Sequence, residues 1–337
     1  MSEKRRERKD EHIENYLKTS THNDPLFGDI YLDHNSLSDV NFDEIDTSID
    51  FLGKKISMPL MVNAMTGGGE ASYDINEDLS SICKKLNIPM AVGSQAIGLE
   101  DPKAEESFSL IKDKDLIRIG NLGAERDIKD YKKAVDMIGA HAIQVHLNIA
   151  QELFMPEGDR DFRGYFDKIK NISKELDAPI IVKETGNGLS KSVCKKLIDG
   201  GVSYIDVAGI GGTNFIEIED IRDFRSDYKE FYTWGVPTAK AIIDARNISK
   251  EVFIIGSGGI KTALDLAKAI IIGADMTAVS GEALRYLLMG GYEACYHYLK
   301  ELNHRLKIAM ALLGVKNIEE LKKVDYKVSG RLRELID

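Results

Sequence analysis

Two polar side chains that could do chemistry stand at the end of the run AIQVHLN at 142–148. They are His146 and Asn148, two residues apart and therefore on one face of a strand. Gln151 and Glu152 follow just beyond it. Such a group points to a polar site rather than to a lone core histidine. The single carboxylate of Glu152 suits a Mg²⁺ shared with ligand phosphates better than a complete protein cage. Lys183 ends a second apolar run, PIIVKE at 179–184. An ammonium held there needs a partner, either an anionic ligand group or the neighbouring Glu184 or Asp206. Glycines follow two further runs, at Gly258-Gly259 and at Ser280-Gly281. Where no side chain intervenes, backbone N–H groups and the next helix N-terminus can cradle a phosphate. One such loop alone reads as a tight turn; the two together read as a phosphate site. Near the start, Arg8, Lys9 and His12 fall within reach of one helical face. A charge run of this kind is ordinarily a solvated surface. On an acidic chain it is also a candidate clamp for a diphosphate.

The elements that must hold these residues follow from hydrophobic periodicity. Eight short apolar runs recur, at 59–65, 89–94, 116–122, 142–148, 179–184, 204–209, 252–258 and 276–281. Most are continuous rather than alternating, as expected of parallel strands covered on both faces. Between them lie helical patterns: Ile75, Leu79, Ile82 and Leu86; Leu189, Val193 and Leu197; Ala263, Leu266 and Ile270. Alternating strands and helices imply βα units with right-handed crossovers. Eight of them predict an α/β fold, a (β/α)8 TIM barrel with an N-terminal extension, whose active site lies at the C-terminal strand ends. An open doubly wound sheet is the alternative. Its edge strands would need charges or prolines that these runs lack.

Polar or glycine residues end all eight runs, which places them on one rim. The expected organisation is a single barrel domain over 1–337. Residues 1–55 form an N-terminal substrate-clamping arm, 56–313 the barrel, with 297–313 as its eighth helix, and 314–337 a C-terminal extension. Residues 210–250, with the only tryptophan, Trp234, are the longest insertion.

Composition excludes several classes. The chain has 337 residues, 45 basic and 55 acidic, for a formal net charge of −10. That balance argues against general nucleic-acid or membrane-surface binding. Hydrophobic residues make up 43% and charged ones 30%, too apolar for disorder. Cys83, Cys194 and Cys295 are an odd, scattered set with no Cys-x-x-Cys, so neither a disulfide framework nor a zinc site is expected. No apolar run approaches the ~20 residues of a membrane span, and the charged start lacks a signal-peptide core. A soluble cytoplasmic enzyme is the expectation.

The motifs together resemble type 2, FMN-dependent isopentenyl diphosphate isomerase, nearly end to end. The similarity runs through RKDEHI at 8–13, NAMTGG at 63–68, GSQ at 93–95, IGNLGA at 119–124, QVHLNIAQE at 144–152 and GDRDF at 158–162. It continues through IVKETGNG at 181–188, GIGGTNF at 209–215, WGVPTA at 234–239, GSGGI at 256–260 and the closing SGRLRE. HLN followed by QE, with the RK…H arm, is the distinctive part; the glycine loops are shared with many flavin barrels. The resemblance implies FMN contacts at Ala64, Met65, Thr66, Ser94, Asn121, Lys183 and Thr213, with Gly258, Gly259, Ser280 and Gly281 around its phosphate. It implies substrate diphosphate at Arg8, Lys9, His12, Ser94, His146 and Asn148, Gln151 beside the isoprenoid carbons, and Mg²⁺ at Glu152. Two positions depart from the family pattern. Ala96 follows Gln95 where many members carry an arginine nearby, and Ala208 stands in place of the usual serine.

The implied reaction interconverts isopentenyl and dimethylallyl diphosphate in isoprenoid biosynthesis, moving a double bond by adding one proton and removing another. Reduced FMN would serve as acid and base through N5, with NADPH only priming it. Gln151, a neutral amide and so a poor acid or base, would position or relay. Homo-oligomeric assembly, tetramer or octamer, comes with the resemblance. The nearest rival is an FMN oxidoreductase of the 2-hydroxyacid oxidase type, which needs a histidine and an arginine after the sixth strand; the loop reads AGIGGTNF. A dehydrogenase of the inosinate type needs a cysteine in that loop, and all three cysteines fall on expected helices. A non-catalytic flavin-binding or regulatory protein is the rival from another class, and the intact HLN…QE set argues against it.

Overall fold

The computed structural model describes residues 2–20, 23–112, 114–223 and 227–336, without the side chains of 2–8 and 10. All eight apolar runs contain strands. They are β1 (Leu60–Val62), β2 (Met90–Ala91), β3 (Arg118–Gly123), β4 (Ala142–Leu147), β5 (Ile180–Glu184), β6 (Tyr204–Asp206), β7 (Phe253–Ser257) and β8 (Met276–Val279). Each pairs in parallel with the next, and β8 pairs with β1. The barrel is therefore closed, and the open-sheet alternative fails.

Strand parity divides the core. Leu60, Val62, Ile143, Val145, Ile180, Val182 and Ile205 face the helices. Met61, Ile119, Ala142, Ile181, Ile255 and Met276 fill a separate cluster inside the barrel. One pleat nearer the C-terminal end, the inward positions turn polar: Asn63, Asn121, Gln144, Lys183, Asp206 and Ser257 are all buried. A dry apolar lower layer under a polar upper layer is what aims the chemistry at one mouth.

The helices refine the expected pattern. In α2 (Ser72–Leu86), Ile75, Leu79 and Ile82 are buried and Leu86 is half-buried. In α7 (Lys191–Asp199) the buried face carries Cys194 and Leu197; Leu189 precedes the helix and Val193 is 37% exposed, contrary to expectation. Ala263, Leu266 and Ile270 are buried in α10 (Ala263–Ile271) as expected. The last long helical segment, α11, starts at Gly281 rather than near 297 and runs to Leu313, broken at Gly291 (φ 73). The 210–250 stretch holds α8 (Phe215–Arg222) and also α9 (Thr238–Ile248), the regular helix of the sixth unit.

Residues 1–55 divide three ways. Helix α1 (Ser2–Lys18) reaches the barrel mouth, where Lys9, His12 and Tyr16 line the cavity. Strand Ile30–Leu32 pairs antiparallel with Tyr326–Val328 near the other end of the chain. Strands Ile49–Phe51 and Lys54–Ile56 make a hairpin. Its two turn residues, Leu52 (φ 50) and Gly53 (φ 74), both take the left-handed backbone such tight turns need. Phe51 and Ile56 join the inner cluster, with the Phe51 ring 5.2 Å from Phe253 and 6.3 Å from Tyr204. Both partners start their strands, so the hairpin plugs the N-terminal end of the barrel. Among the described residues, no helix is long and apolar enough to cross a membrane.

Candidate active site

At the C-terminal strand ends a cavity of ≈ 430 Å³ opens, in the size range of small-ligand pockets. It brings together Ala64, Met65, Thr66, Ser94, Asn121, Lys183, Thr213, Gly258, Gly259, Ser280 and Gly281. Lys9, His12, His146, Asn148, Gln151 and Glu152 line it as well. Of the residues named from the sequence, only the Arg8 side chain lies outside the described set.

A hydrogen-bonded floor organises the strand ends. Asn63 Nδ2 donates to Asp206 Oδ2 (2.6 Å) and Gln144 Nε2 donates to Asn63 Oδ1 (2.7 Å). Asn121 Nδ2 donates to Gln144 Oε1 (2.7 Å), and His146 Nδ1 lies 2.7 Å from Asn121 Oδ1. Gln95 belongs to this framework: its Oε1 accepts from the Asn121 N–H (3.0 Å) and its Nε2 donates to the Ala134 carbonyl (2.9 Å). Thr66 is also tied, its hydroxyl donating to Asn76 Oδ1 of α2 (2.8 Å). Its hydroxyl is thus committed to the scaffold.

Lys183 is 6% exposed and donates to the Glu184 backbone carbonyl (2.6 Å). Among the described residues it makes no ion pair with a carboxylate. The Glu184 side chain instead accepts backbone N–H groups of Gly186 (2.6 Å) and Gly188 (3.0 Å). Burial lowers the Lys183 pKa, while Asp206 and Glu184 work to hold its charge. A buried cation without a bonded carboxylate is suited to an anionic ligand group.

Burial, then the positive fields of Lys183 and Lys9, push the His146 pKa down to about 3. The imidazole is neutral in the folded protein, whereas an unfolded histidine takes up a proton near pH 6.5. The unfolded chain then binds more protons, so stability at this site is full above pH 6.5 and lost as pH falls towards 3. We expect His146→Gln to remove much of the loss of apoprotein stability over that window, about 5 kcal/mol at 1.36 kcal/mol per pH unit. Urea midpoints at pH 7 and pH 4.5 that shift equally in the two proteins would remove histidine burial as the cause.

On the opposite wall, α5 (Ile149–Phe154) starts at Asn148, and Asn148 Nδ2 donates to Glu152 Oε1 (2.8 Å). Glu152 Oε2 accepts the Asp159 N–H (2.8 Å). Burial raises the nearby Glu125 pKa, and the fields of Glu152 and Asp159 add to it. Among the described residues no cluster of three or more His, Cys, Asp or Glu could hold a metal by itself. A metal at Glu152 would need oxygen ligands from elsewhere.

Glu219 of α8 is a residue that the sequence reading missed. It is 1% exposed and accepts from Gln151 Nε2 (3.1 Å) and from an Arg222 guanidinium nitrogen (2.7 Å). His12 Nε2 lies 2.9 Å from its Oε1. Burial opposes its ionisation, but the bonds from His12, Arg222 and Gln151 prevail and leave its pKa lowered. Arg222 also reaches Glu11 (3.1 Å) and Glu157. One buried carboxylate thereby joins α1, α5 and α8 over the mouth. Because a carboxylate only accepts, the Gln151 amide nitrogen is the end turned to Glu219, and its carbonyl oxygen is the end left for the cavity.

The glycine loops are more specific than expected. The helix after Gly258-Gly259 has its own capping box, Thr262 with Asp265, which takes up two of the backbone N–H groups at its start. Helix α11 instead begins directly at Gly281, and no Ser280 side-chain bond caps it. Its first N–H groups are the available phosphate donors. Gly258 (φ 100) and Gly259 (φ 76) have a packing reason too: a Cβ on either would strike the backbone of Gly209 or Gly211 in the loop after β6.

At the two departures, Ala208 lines the cavity in left-handed backbone (φ 38), its N–H bonded to Asp206 Oδ1 (3.2 Å). Ala96 also lines it, and a guanidinium, Arg126, reaches this cavity from beyond β3, held by Glu100 at 3.0 Å. Cys83, Cys194 and Cys295 are buried on helices α2, α7 and α11, away from the mouth.

A parallel barrel with a buried lysine, an amide-lined floor and an uncapped helix end beside glycines defines a flavin-type barrel. The sequence model of the FMN-dependent dehydrogenases matches residues 12–114 and 151–327. A flavocytochrome b2 variant with pyruvate bound superposes with a TM-score of 0.72 at 19% identity, over 96% of this chain and 84% of that one, a likeness of fold. Two relatives are much nearer in sequence. The isopentenyl-diphosphate delta-isomerase of Geobacillus sp. (strain WCH70) is 42% identical over 330 residues, 97% of this chain and 94% of that protein. That of Sulfurisphaera tokodaii is 39% identical over 345 residues, 98% and 93%. Within the FMN-dependent dehydrogenase family, the chain belongs to the isopentenyl-diphosphate delta-isomerases.

Proposed function

We propose that the cavity converts isopentenyl diphosphate to dimethylallyl diphosphate and back, with reduced FMN bound on the barrel floor. The observation that carries this over hydroxyacid oxidation is the wall after β6. Among the described residues it presents Ala208, Gly212 and Thr213 to the cavity, with no imidazole or guanidinium to take a hydroxyl proton or grip a carboxylate.

Gly258, Gly259, Ser280, Gly281 and the first N–H groups of α11 would hold the FMN phosphate. Ala64, Met65, Thr66, Ser94, Asn121 and Thr213 would line its ring, with Lys183 favouring the anionic reduced form. When bound, reduced FMN supplies an electron-rich face and a proton-carrying N5. Lys9, His12, Ser94, His146 and Asn148, with Arg8, would bind the diphosphate. Glu152 would contribute one oxygen to a Mg²⁺ completed by substrate phosphates and water. The carbonyl oxygen of Gln151, aimed by Glu219, would face the carbons that gain and lose protons. It can stabilise developing positive charge or pass a proton on, without itself titrating. NADPH is needed only to prime the flavin, and a cytoplasmic homo-oligomer is part of the same reading, resting on the resemblance.

Anaerobic incubation with FMN, NADPH, Mg²⁺ and isopentenyl diphosphate tests this. Dimethylallyl diphosphate should accumulate while NADPH falls only by the amount of enzyme. A yellow, reducible protein that forms no product overturns the reading.

A further inference from the structure

The buried amides beneath the site form a chain with one direction. At its foot, the Asp206 carboxylate is wholly buried and accepts at both oxygens: from Asn63 Nδ2 at one, from Ser257 Oγ and the Ala208 N–H at the other. Both oxygens are used as acceptors, so Asn63 turns its amide nitrogen downward. A second bond fixes the same orientation, because Asn63 Oδ1 accepts the Ala64 backbone N–H (2.9 Å). Gln144, also wholly buried, must then give Nε2 to Asn63 and present Oε1 to Asn121. Asn121 in turn gives Nδ2 to Gln144, which leaves Oδ1 opposite His146 Nδ1. An oxygen there requires the imidazole proton on Nδ1.

We propose that Asp206 is a positioning residue. Through Asn63, Gln144 and Asn121 it fixes His146 as the Nδ1–H tautomer, so that Nε2 meets the cavity as a lone pair and a diphosphate binds together with one proton taken from solvent at that nitrogen. This rests on the reading of the cavity as a diphosphate site. A bare Nε2 repels a phosphate oxygen, whereas a protonated one donates a charge-assisted bond. The groups that act on the ring in the ligand-free site are Lys183 from β5 and Lys9 from α1, both cations that oppose the extra proton. A diphosphate reverses that field. Proton and anion are therefore coupled, and the histidine would discriminate a polyanion from a neutral alcohol of the same shape.

The tautomer is readable without any ligand. Long-range ¹H–¹⁵N correlation spectra of the ¹⁵N-histidine-labelled, FMN-loaded protein should show His146 protonated at Nδ1, with His146→Gln assigning the ring. Gln144→Met cuts the chain without touching Asp206, Lys183 or the cavity, and should turn the single pattern into a mixture of tautomers. A wild-type ring protonated at Nε2, or a tautomer unchanged in Gln144→Met, overturns the inference; the wild-type spectrum decides even if the variant does not fold. Calorimetry of the oxidised FMN-loaded protein with Mg²⁺ and isopentenyl diphosphate, at pH 8 in buffers of different ionisation enthalpy, should report net uptake of a fraction of a proton per site. Gln144→Met should lose most of it. Binding heat that is independent of the buffer sinks the coupling alone. No binding at all instead sinks the functional reading and leaves the tautomer result standing.

Discussion

Glu219→Gln lowers kcat/KM for isopentenyl diphosphate by about a hundredfold or more, chiefly by raising KM. The substitution keeps shape and one acceptor oxygen but removes the charge that three donors share. Hydrogen bonds to a charged group contribute about 1.5–3 kcal/mol each, so weakening two of them costs roughly 3 kcal/mol, about a hundredfold. The loss falls on ligand capture because His12 is the tie between α1 and this carboxylate, and Lys9 sits one turn earlier on the same helix. Gln151 would also lose its aim, which adds a smaller fall in kcat. Limited proteolysis gives an independent view: cleavage within residues 2–18 should speed up in the variant and slow less on adding isopentenyl diphosphate. A KM within threefold of wild type, with an unaltered cleavage rate, would leave Glu219 as mere packing.

Lys183→Met should be as severe but of another kind. Methionine nearly preserves the volume, so the barrel keeps its packing and loses a buried charge. Fixed charges in a water-poor site commonly carry a factor of 10²–10³ in rate, and kcat should fall by about that much. On the proposed placement of FMN, the flavin should also become harder to reduce, because an anionic reduced ring would lose its counter-charge. A loss of about 3 kcal/mol corresponds to a midpoint potential lower by about 60 mV for a two-electron couple. Potentiometry on the FMN-loaded variant reads this directly, apart from turnover. Unchanged potential and unchanged FMN content would assign Lys183 to the Glu184 carbonyl alone.

Much of this site was legible because barrels translate one-dimensional order into place. Each apolar run ends where the rim begins, so His146, Asn148, Lys183 and the glycine pairs could be assigned to one mouth from run endings alone. Asn63, Gln144 and Asp206 are less visible, since they lie one pleat below the rim, inside runs that otherwise read as core. The signal was present: a single amide or carboxylate two positions before a rim residue marks the inward face. Glu219 carried no such signal. Its helix, FIEIEDIR, mixes acidic and apolar residues without a clear stripe, and an acidic helix on an acidic chain looks like solvated surface. What buries it is α1, and the docking of a distant helix leaves no local periodicity. The start of α11 was misplaced for a related reason. Glycines at 290 and 291 break the pattern, and the true start at Gly281 has no side-chain cap to announce it.

The hairpin that plugs the barrel floor has a consequence for isotopes. Among the described residues, Phe51, Phe253, Tyr204 and the layer of Met61, Ile119, Ile181, Ile255 and Met276 close the N-terminal end with apolar packing. Solvent hydrogen would then reach the site from the mouth, where α1 lies. In heavy water, deuterium should enter product and recovered substrate at a rate set by how often that helix lifts between turnovers. Loosening the helix and slowing the chemistry should therefore change label content in the same direction, by different routes.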